Sequence, residues 1–249
     1  MRRKWTTLFI ILTAGLALLK LQPFSFAGTT LHLAGDSTMA VQLASRQPMS
    51  GWGESLASML CEDIRLINHA RNGHSTRSFL SEGYWKRLME SLKSQDVVLI
   101  QFGHNDQKKT KTTLYAHAWR DYQDNLQRFI NDVKRRHATP ILLTPIVRRS
   151  FDSEARLQRT HGNYPAAIKM LAAETQVQLI DANKATYDLV DSMGPERSKS
   201  LFLHLPPDSH ENYANGIQDD THLRSAGATI IAELIADQLN ELRPGLICR

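Results

Sequence analysis

A parallel α/β sheet of five strands with helices on both faces is the fold class that this sequence predicts. Three observations predict it. Five short apolar runs alternate with stretches of helical periodicity. The run Asp96-Val97-Val98-Leu99-Ile100-Gln101-Phe102 is apolar in the manner of a buried strand. The first three runs each end in a polar, glycine-containing turn, and right-handed crossovers put all such ends on one rim.

Taken in order, Leu31-His32-Leu33 is the first strand and leads into Ala34-Gly35-Asp36-Ser37-Thr38-Met39. Gly51-Trp52-Gly53-Glu54 opens a helix over 55–62, with Leu56, Met59 and Leu60 at helical spacing. Leu66 to Ala70 is the second strand, followed by a turn around Asn72-Gly73-His74-Ser75. A helix is expected over 79–92, then the strand 96–102, which ends in Gly103-His104-Asn105-Asp106. A long amphipathic helix over 114–137 leads to the strand 141–144, closed by Pro145. Residues 165–176 read as helix, 177–180 as the fifth strand and 185–193 as helix. An irregular loop follows over 203–218, and the last helix, 225–242, carries Ile230, Ile231, Leu234, Ile235 and Leu239 on one face.

The first 27 residues differ in kind. Arg2, Arg3 and Lys4 precede an apolar run from Trp5 to Leu19, and Ser25-Phe26-Ala27 puts small residues at the −3 and −1 positions of a cleavage site. This is the pattern of a secretory signal peptide over 1–27, leaving a catalytic domain over 28–249, exported to a periplasm or secreted and without stable membrane association once cleaved. Arg2, Arg3, Lys4 and Lys20 are four of the 30 basic residues, so the remainder carries 26 basic against 25 acidic groups. That near-neutral balance gives no support to nucleic-acid binding. Cys61 and Cys248 are too few for a disulfide scaffold and lack zinc-site spacing. Export permits one bridge between them, and the sequence leaves that pairing open.

Acyl transfer from oxygen needs a nucleophile, a base, an acid to orient the base, and donors for the oxyanion. Ser37, on the turn after the first strand, is the candidate nucleophile. His222 is the candidate base, able to reach Ser37 if the last helix packs beside the first, and Asp219 is placed to orient it. Asp219 and Asp220 could equally cap the last helix. The Ser37 and Gly73 backbone N–H groups and the Asn105 amide are the candidate oxyanion donors, although turn glycines and turn asparagines also occur for backbone reasons alone. No metal or other cofactor is called for. Other motifs fail: Met39 stands where a Gly-x-Ser-x-Gly elbow needs its second glycine, Gly51-x-Gly53 lacks a third glycine and a preceding strand, and His210-Glu211 is not followed by the second histidine of a zinc protease.

Gly-Asp-Ser near the start, a glycine after the second strand, Gly-His-Asn-Asp after the third and Asp-x-x-His before the last helix resemble the four blocks of the SGNH (GDSL-type) hydrolases. The fuller strings narrow the resemblance to rhamnogalacturonan acetylesterases: Leu33-Ala34-Gly35-Asp36-Ser37-Thr38-Met39-Ala40, Gly51-Trp52-Gly53-Glu54, Phe102-Gly103-His104-Asn105-Asp106, Thr144-Pro145 with Arg148-Arg149, and Asp219-Asp220-Thr221-His222 with Gly227-Ala228. The resemblance implies a flavodoxin-like three-layer α/β/α sandwich and removal of acetyl groups from pectic polysaccharide. In it Ser37 is nucleophile, His222 base, Asp219 its orienter, and Gly73 and Asn105 complete the oxyanion hole. Arg71, His74, Arg77, Lys108, Lys109, Arg148 and Arg149 follow strand ends and could line a basic rim suited to galacturonate, though such residues also populate any solvated loop. Trp52, Trp85, Trp119 and Tyr164 could stack on sugar rings or belong to the core. A lipolytic esterase or thioesterase would use the same catalytic residues but would want an apolar acyl trench. A non-catalytic carbohydrate-binding protein should have lost one of Ser37, Asn105 or His222, and all are present.

Overall fold

The computed structural model describes residues 28–249; the expected signal peptide over 1–27 lies outside the described residues. In chain order the elements are β1 (Thr30–Gly35), β2 (Met49–Ser50), α1 (Trp52–Leu56), β3 (Arg65–Asn68), α2 (Thr76–Ser81), α3 (Tyr84–Ser91), β4 (Val97–Gln101), α4 (Gln123–Arg135), β5 (Thr139–Leu143), α5 (Tyr164–Thr175), β6 (Gln178–Ile180), α6 (Ala182–Arg197), β7 (Phe202–Leu205), β8 (Ile217–Arg224) and α7 (Ser225–Leu242). The five expected strands form one parallel sheet in the order β3-β1-β4-β5-β6.

Alternation along the strands divides the core between two faces. Leu31, Leu33, Val97, Leu99, Ile141, Leu143 and Ile180 point to one face and pack with α1, α6 and α7. Ala34, Val98, Ile100 and Leu142 point to the other, under α2 to α5. The result is the expected flavodoxin-like three-layer sandwich. The first and last helices do lie side by side, with Leu56 of α1 and Ile231, Ile235 and Leu239 of α7 in one cluster. No helix among the described residues is long and apolar enough to cross a membrane.

Three expectations about elements are corrected. The stretch 203–218 is not an irregular loop throughout: β7 and β8 form an antiparallel pair, joined on its other side by β2, as a second three-stranded sheet. Its strands are rich in polar residues such as Gln218, Asp219 and Asp220, so apolar periodicity could not mark them. The helix expected over 79–92 is broken at Glu82-Gly83 into α2 and α3. The helix expected from Leu114 starts at Ala118 with a π-helical turn before α4.

Cys61 and Cys248 form a disulfide, flanked by backbone hydrogen bonds from Cys61 N to Leu246 O (3.1 Å) and from Cys248 N to Met59 O (3.0 Å). The bridge ties the chain end to the segment after α1 and closes a loop with a sequence separation of 187. Long-loop closure places it at the upper end of disulfide contributions, so Cys61→Ser with Cys248→Ser should lower unfolding free energy by about 2–5 kcal/mol. Urea titration of the oxidised and double-serine proteins checks this. Equal midpoints would show that the α1–tail contact holds without the bond.

Candidate active site

Ser37 follows β1 at the carboxyl rim of the sheet, on a turn in which the Met39 and Ala40 N–H groups both donate to Asp36 O (3.2 and 3.1 Å). Asp36 is fully buried, and its Oδ1 accepts from Thr38 N (3.0 Å) and Thr38 Oγ1 (2.8 Å). Its Oδ2 sits 3.2 Å from His104 Nδ1, an ion-pair distance without good hydrogen-bond direction. Burial works against the Asp36 carboxylate, yet the His104 ring and the Thr38 donors keep it below the usual range. Burial likewise holds the His104 imidazole below its ordinary value, against the pull of Asp36. α1 supports the turn from the side by a close approach: a Cβ at Gly51 would lie 2.2 Å from Ala40 O, and one at Gly53 2.5 Å from Met39 O.

His222 arrives from the second sheet. Ser37 Oγ and His222 Nε2 are 2.9 Å apart, and His222 Nδ1 and Asp219 Oδ2 are 2.7 Å apart. Burial alone would raise the Asp219 carboxyl, but the His222 contact and the Thr221 and His222 N–H donors bring it down to about 2. An ionised carboxylate only accepts, so the His222 proton resides on Nδ1 and Nε2 is free to accept the Ser37 hydroxyl. Neighbouring residues of a strand face opposite ways, and three residues apart should too. Here the ladder pairs Phe202 with Leu223 but Leu203 with Asp219, so Asp220, Thr221 and His222 bulge out of register. The bulge turns His222 to the side of Asp219. It also resolves the two adjacent aspartates: Asp220 Oδ1 meets Arg149 Nη1 and His204 Nε2, each at 2.7 Å, and does not face His222.

The second and third strand ends are tied to the same turn. Gln42 Nε2 donates to Ser37 O (2.9 Å) and to Asn72 Oδ1 (3.0 Å), while Asn72 Nδ2 donates back to Gln42 Oε1 (2.9 Å). Gly73 adopts a φ of +78° and is exposed. Asn105 is 3% exposed; its Nδ2 donates to His74 O (2.9 Å), and its Oδ1 accepts from Lys108 Nζ (2.6 Å). Among the described residues the Ser37 and Gly73 amides have no protein acceptor, so both remain available to a ligand oxygen.

Several residues of the expected basic rim are engaged by partners within the protein. Arg149 donates through Nε to Pro195 O (3.1 Å) as well as to Asp220. Arg148 donates to His104 O (3.2 Å), Thr160 Oγ1 (3.3 Å) and, with its amide group suitably turned, Gln107 Oε1. His74 lies 2.9 Å from both Asn72 O and Glu82 Oε2, and Arg77 Nε donates to Tyr115 O (2.6 Å). Arg71, Lys108 and Lys109 remain exposed. Of the aromatic candidates, Trp52, Trp85 and Tyr164 are buried and hydrogen-bonded to Gln101, Asp132 and Asp106 respectively; Trp119 alone is exposed. Sequence reasoning did not single out Gln42, Lys108 as a partner of Asn105, or Gln101, whose Oε1 accepts from Thr38 Oγ1 (3.2 Å) and Trp52 Nε1 (3.0 Å). A glutamine ending the most apolar strand was the one visible signal. No group of three or more His, Cys, Asp or Glu side chains among the described residues is arranged to hold a metal ion.

Residues 33–230 match the model of the GDSL-like lipase/acylhydrolase family. The chain is 40% identical over 212 residues to a rhamnogalacturonan acetylesterase of Bacillus subtilis (strain 168), covering 85% of this chain and 90% of that one. It is 32% identical to a probable rhamnogalacturonan acetylesterase of the same organism, covering 85% and 93%. The crystal structure of protein YxiM from Bacillus subtilis superposes with a TM-score of 0.71 at 26% identity, covering 88% of this chain and 58% of that one.

Asp106, the last residue of the third-strand block, is fully buried and accepts from Thr76 N (2.9 Å) and Thr76 Oγ1 (2.5 Å). Burial pushes its carboxyl up to about 7, outweighing the Thr76 donors. The folded state thus holds a proton that the unfolded chain releases near pH 4, so this group's contribution to stability declines as pH rises from about 4 to 7. Asp106→Asn keeps the acceptor for Thr76 and removes the proton. Its unfolding free energy should fall less steeply than the wild type's between those pH values, and parallel curves would show that Asp106 is ionised when folded.

Proposed function

This chain belongs to the GDSL-like lipase/acylhydrolase family and is a serine carboxylic ester hydrolase, and from that premise we propose that it is an exported carbohydrate esterase that removes O-acetyl groups from rhamnogalacturonan through a Ser-His-Asp acyl-enzyme. The observation that carries the mechanism is the unbroken relay from Ser37 Oγ to His222 Nε2 and from His222 Nδ1 to Asp219 Oδ2. Ser37 Oγ attacks the acetyl carbonyl as its proton passes to His222 Nε2. The resulting imidazolium is stabilised by the Asp219 carboxylate. The developing oxyanion is met by the Ser37 and Gly73 N–H groups and the second Asn105 Nδ2 hydrogen. Collapse breaks the ester C–O bond, His222 gives its proton to the departing sugar oxygen so that it leaves as the hydroxyl, and water then hydrolyses the acetyl-serine by the reverse proton path.

The pectic substrate rests on the two relatives with 40% and 32% identity over 85% of this chain. Export rests on the charge and apolar pattern of residues 1–27, and the Cys61–Cys248 disulfide suits an oxidising compartment. The exposed Arg71, Lys108 and Lys109 near the rim offer positive charge to a galacturonate-containing polymer.

Ser37→Ala should remain folded and lose on the order of 10⁴- to 10⁶-fold in kcat. Asn105→Ala should cost about 10²- to 10³-fold, measured as acetate release. A folded Ser37→Ala protein with near wild-type turnover would sink the mechanism. For the substrate, acetate release from acetylated rhamnogalacturonan should exceed release from acetylated xylan, and p-nitrophenyl acetate should be preferred over octanoate. Indifference to the glycan with rising activity on longer acyl chains would make this a lipolytic enzyme instead.

A further inference from the structure

We propose that Arg149, Asp220 and His204 form a clamp that holds the β8 bulge in the register at which His222 faces Ser37, making Arg149 a positioning residue for catalysis. The proposal rests on the reading of Ser37, His222 and Asp219 as the reacting groups. A bulge gives up ladder hydrogen bonds, so its conformation has to be fixed by something other than strand pairing. Asp220 stands within it. One carboxylate oxygen, Oδ1, accepts from both Arg149 Nη1 and His204 Nε2 at 2.7 Å, and the Asp220 carbonyl accepts from Arg149 N at 2.9 Å. Arg149 therefore grips Asp220 by main chain and side chain together.

The clamp is itself anchored. Nε and Nη2 of Arg149 donate to the carbonyl of Pro195, beside the Gly194 kink in α6, and the guanidinium lies over the Phe151 ring, 5.6 Å from its centroid. The Arg149 side chain is 11% exposed. His204 comes from β7, where it pairs with Gln218 one residue before Asp219. Segments after β5, in α6 and in β7 thus converge on one carboxylate. With three of its five N–H donors engaged within the protein, this arginine is placed to decide whether Asp219 and His222 share a side. A shift of one residue in a strand exchanges its two faces.

The test uses the full-length protein and four variants: Arg149→Met, Arg149→Lys, Asp220→Asn and the double Arg149→Met/Asp220→Asn. Hydrolysis of p-nitrophenyl acetate should fall roughly 10- to 100-fold in kcat with KM unchanged, the cost of a misplaced catalytic group. The double variant should be no worse than the poorer single one, because both act on the same clamp, Arg149→Met by removing its donors and Asp220→Asn by removing its charge. Arg149→Lys should recover part of the loss, since it keeps one donor for Asp220 but not the fork. The downfield N–H proton resonance of the His222–Asp219 contact should weaken in each variant in step with kcat. If Arg149→Met fails to fold, Asp220→Asn carries the test, being of equal size at a side chain that is 46% exposed. Folded variants with kcat within about twofold of wild type, additive losses in the double, or losses confined to KM would each overturn the clamp. Labelling of Ser37 by an organophosphonate separates the two readings. A wild-type protein that is not labelled defeats the triad itself, whereas a labelled wild type with equally reactive variants defeats only the clamp.

Discussion

Everything at the site depends on one short antiparallel pairing at the edge of the second sheet. Ser37 and His222 are 185 residues apart and belong to different sheets, so a local element must fix the distance between them. That element is β2. Met49 and Ser50 pair with Arg224 and Leu223, just past His222, and Ser225 N donates to Pro48 O (3.0 Å). Gly51 and Gly53, which follow, lie against Met39 and Ala40 of the Ser37 turn so closely that no side chain fits at either position. Trp52 N donates to Thr38 O (2.9 Å), and its indole reaches Gln101 at the end of β4. A single stretch of about six residues thus touches the serine's turn on one side and the histidine's strand on the other.

The carboxylates around this joint are held in different states by their surroundings. Asp219, half-buried against His222 and two backbone donors, stays ionised down to about pH 2. Asp36, fully buried, is also kept ionised, by Thr38 and by its proximity to the His104 ring. Asp106, equally buried, has Thr76 as its donor and feels the Asp36 charge, and it rises to about 7. Ionisation here follows donors and neighbours more than depth. The consequence is a negative charge held beneath the Ser37 turn and a second one held beyond the His222 imidazole.

The five core strands were legible because apolar runs between helical periods have few other readings, and their common direction put three polar turns on one rim. The triad and oxyanion candidates could be named because acyl transfer needs those residue types, and the choice among them followed the four blocks that resemble the SGNH hydrolases. The small sheet was not, since Gln218, Asp219 and Asp220 carry none of the alternation that marks a half-buried strand. The bulge was not, since no residue type announces a missed register. The contacts of the basic rim were hidden for a different reason. Arg148 and Arg149 stand in the right place, but a sequence records a guanidinium without its acceptors, and here those are carbonyls and side chains of the protein. Cys61 and Cys248 were left open because their meeting depends on where the segment after α1 and the chain end finish.

Asn105 shows how a residue in this frame acquires a direction. An amide presents donors on one side and an acceptor on the other, and nothing in its size prevents it from turning over. Lys108 Nζ, three residues on, donates to Oδ1 at 2.6 Å, and His74 O accepts from Nδ2 at 2.9 Å. Turning the amide over would set NH₂ against an ammonium and oxygen against a carbonyl, losing both contacts to repulsion. The amide is therefore locked with its donors toward the Gly73-His74 turn. That turn is joined through Asn72 and Gln42 to the Ser37 carbonyl. One Nδ2 hydrogen is spent on this tie, and the remaining one points a donor that cannot reverse. The ammonium bound to Oδ1 also draws electron density from the amide, which makes the free N–H a stronger partner for negative charge than an isolated asparagine would supply.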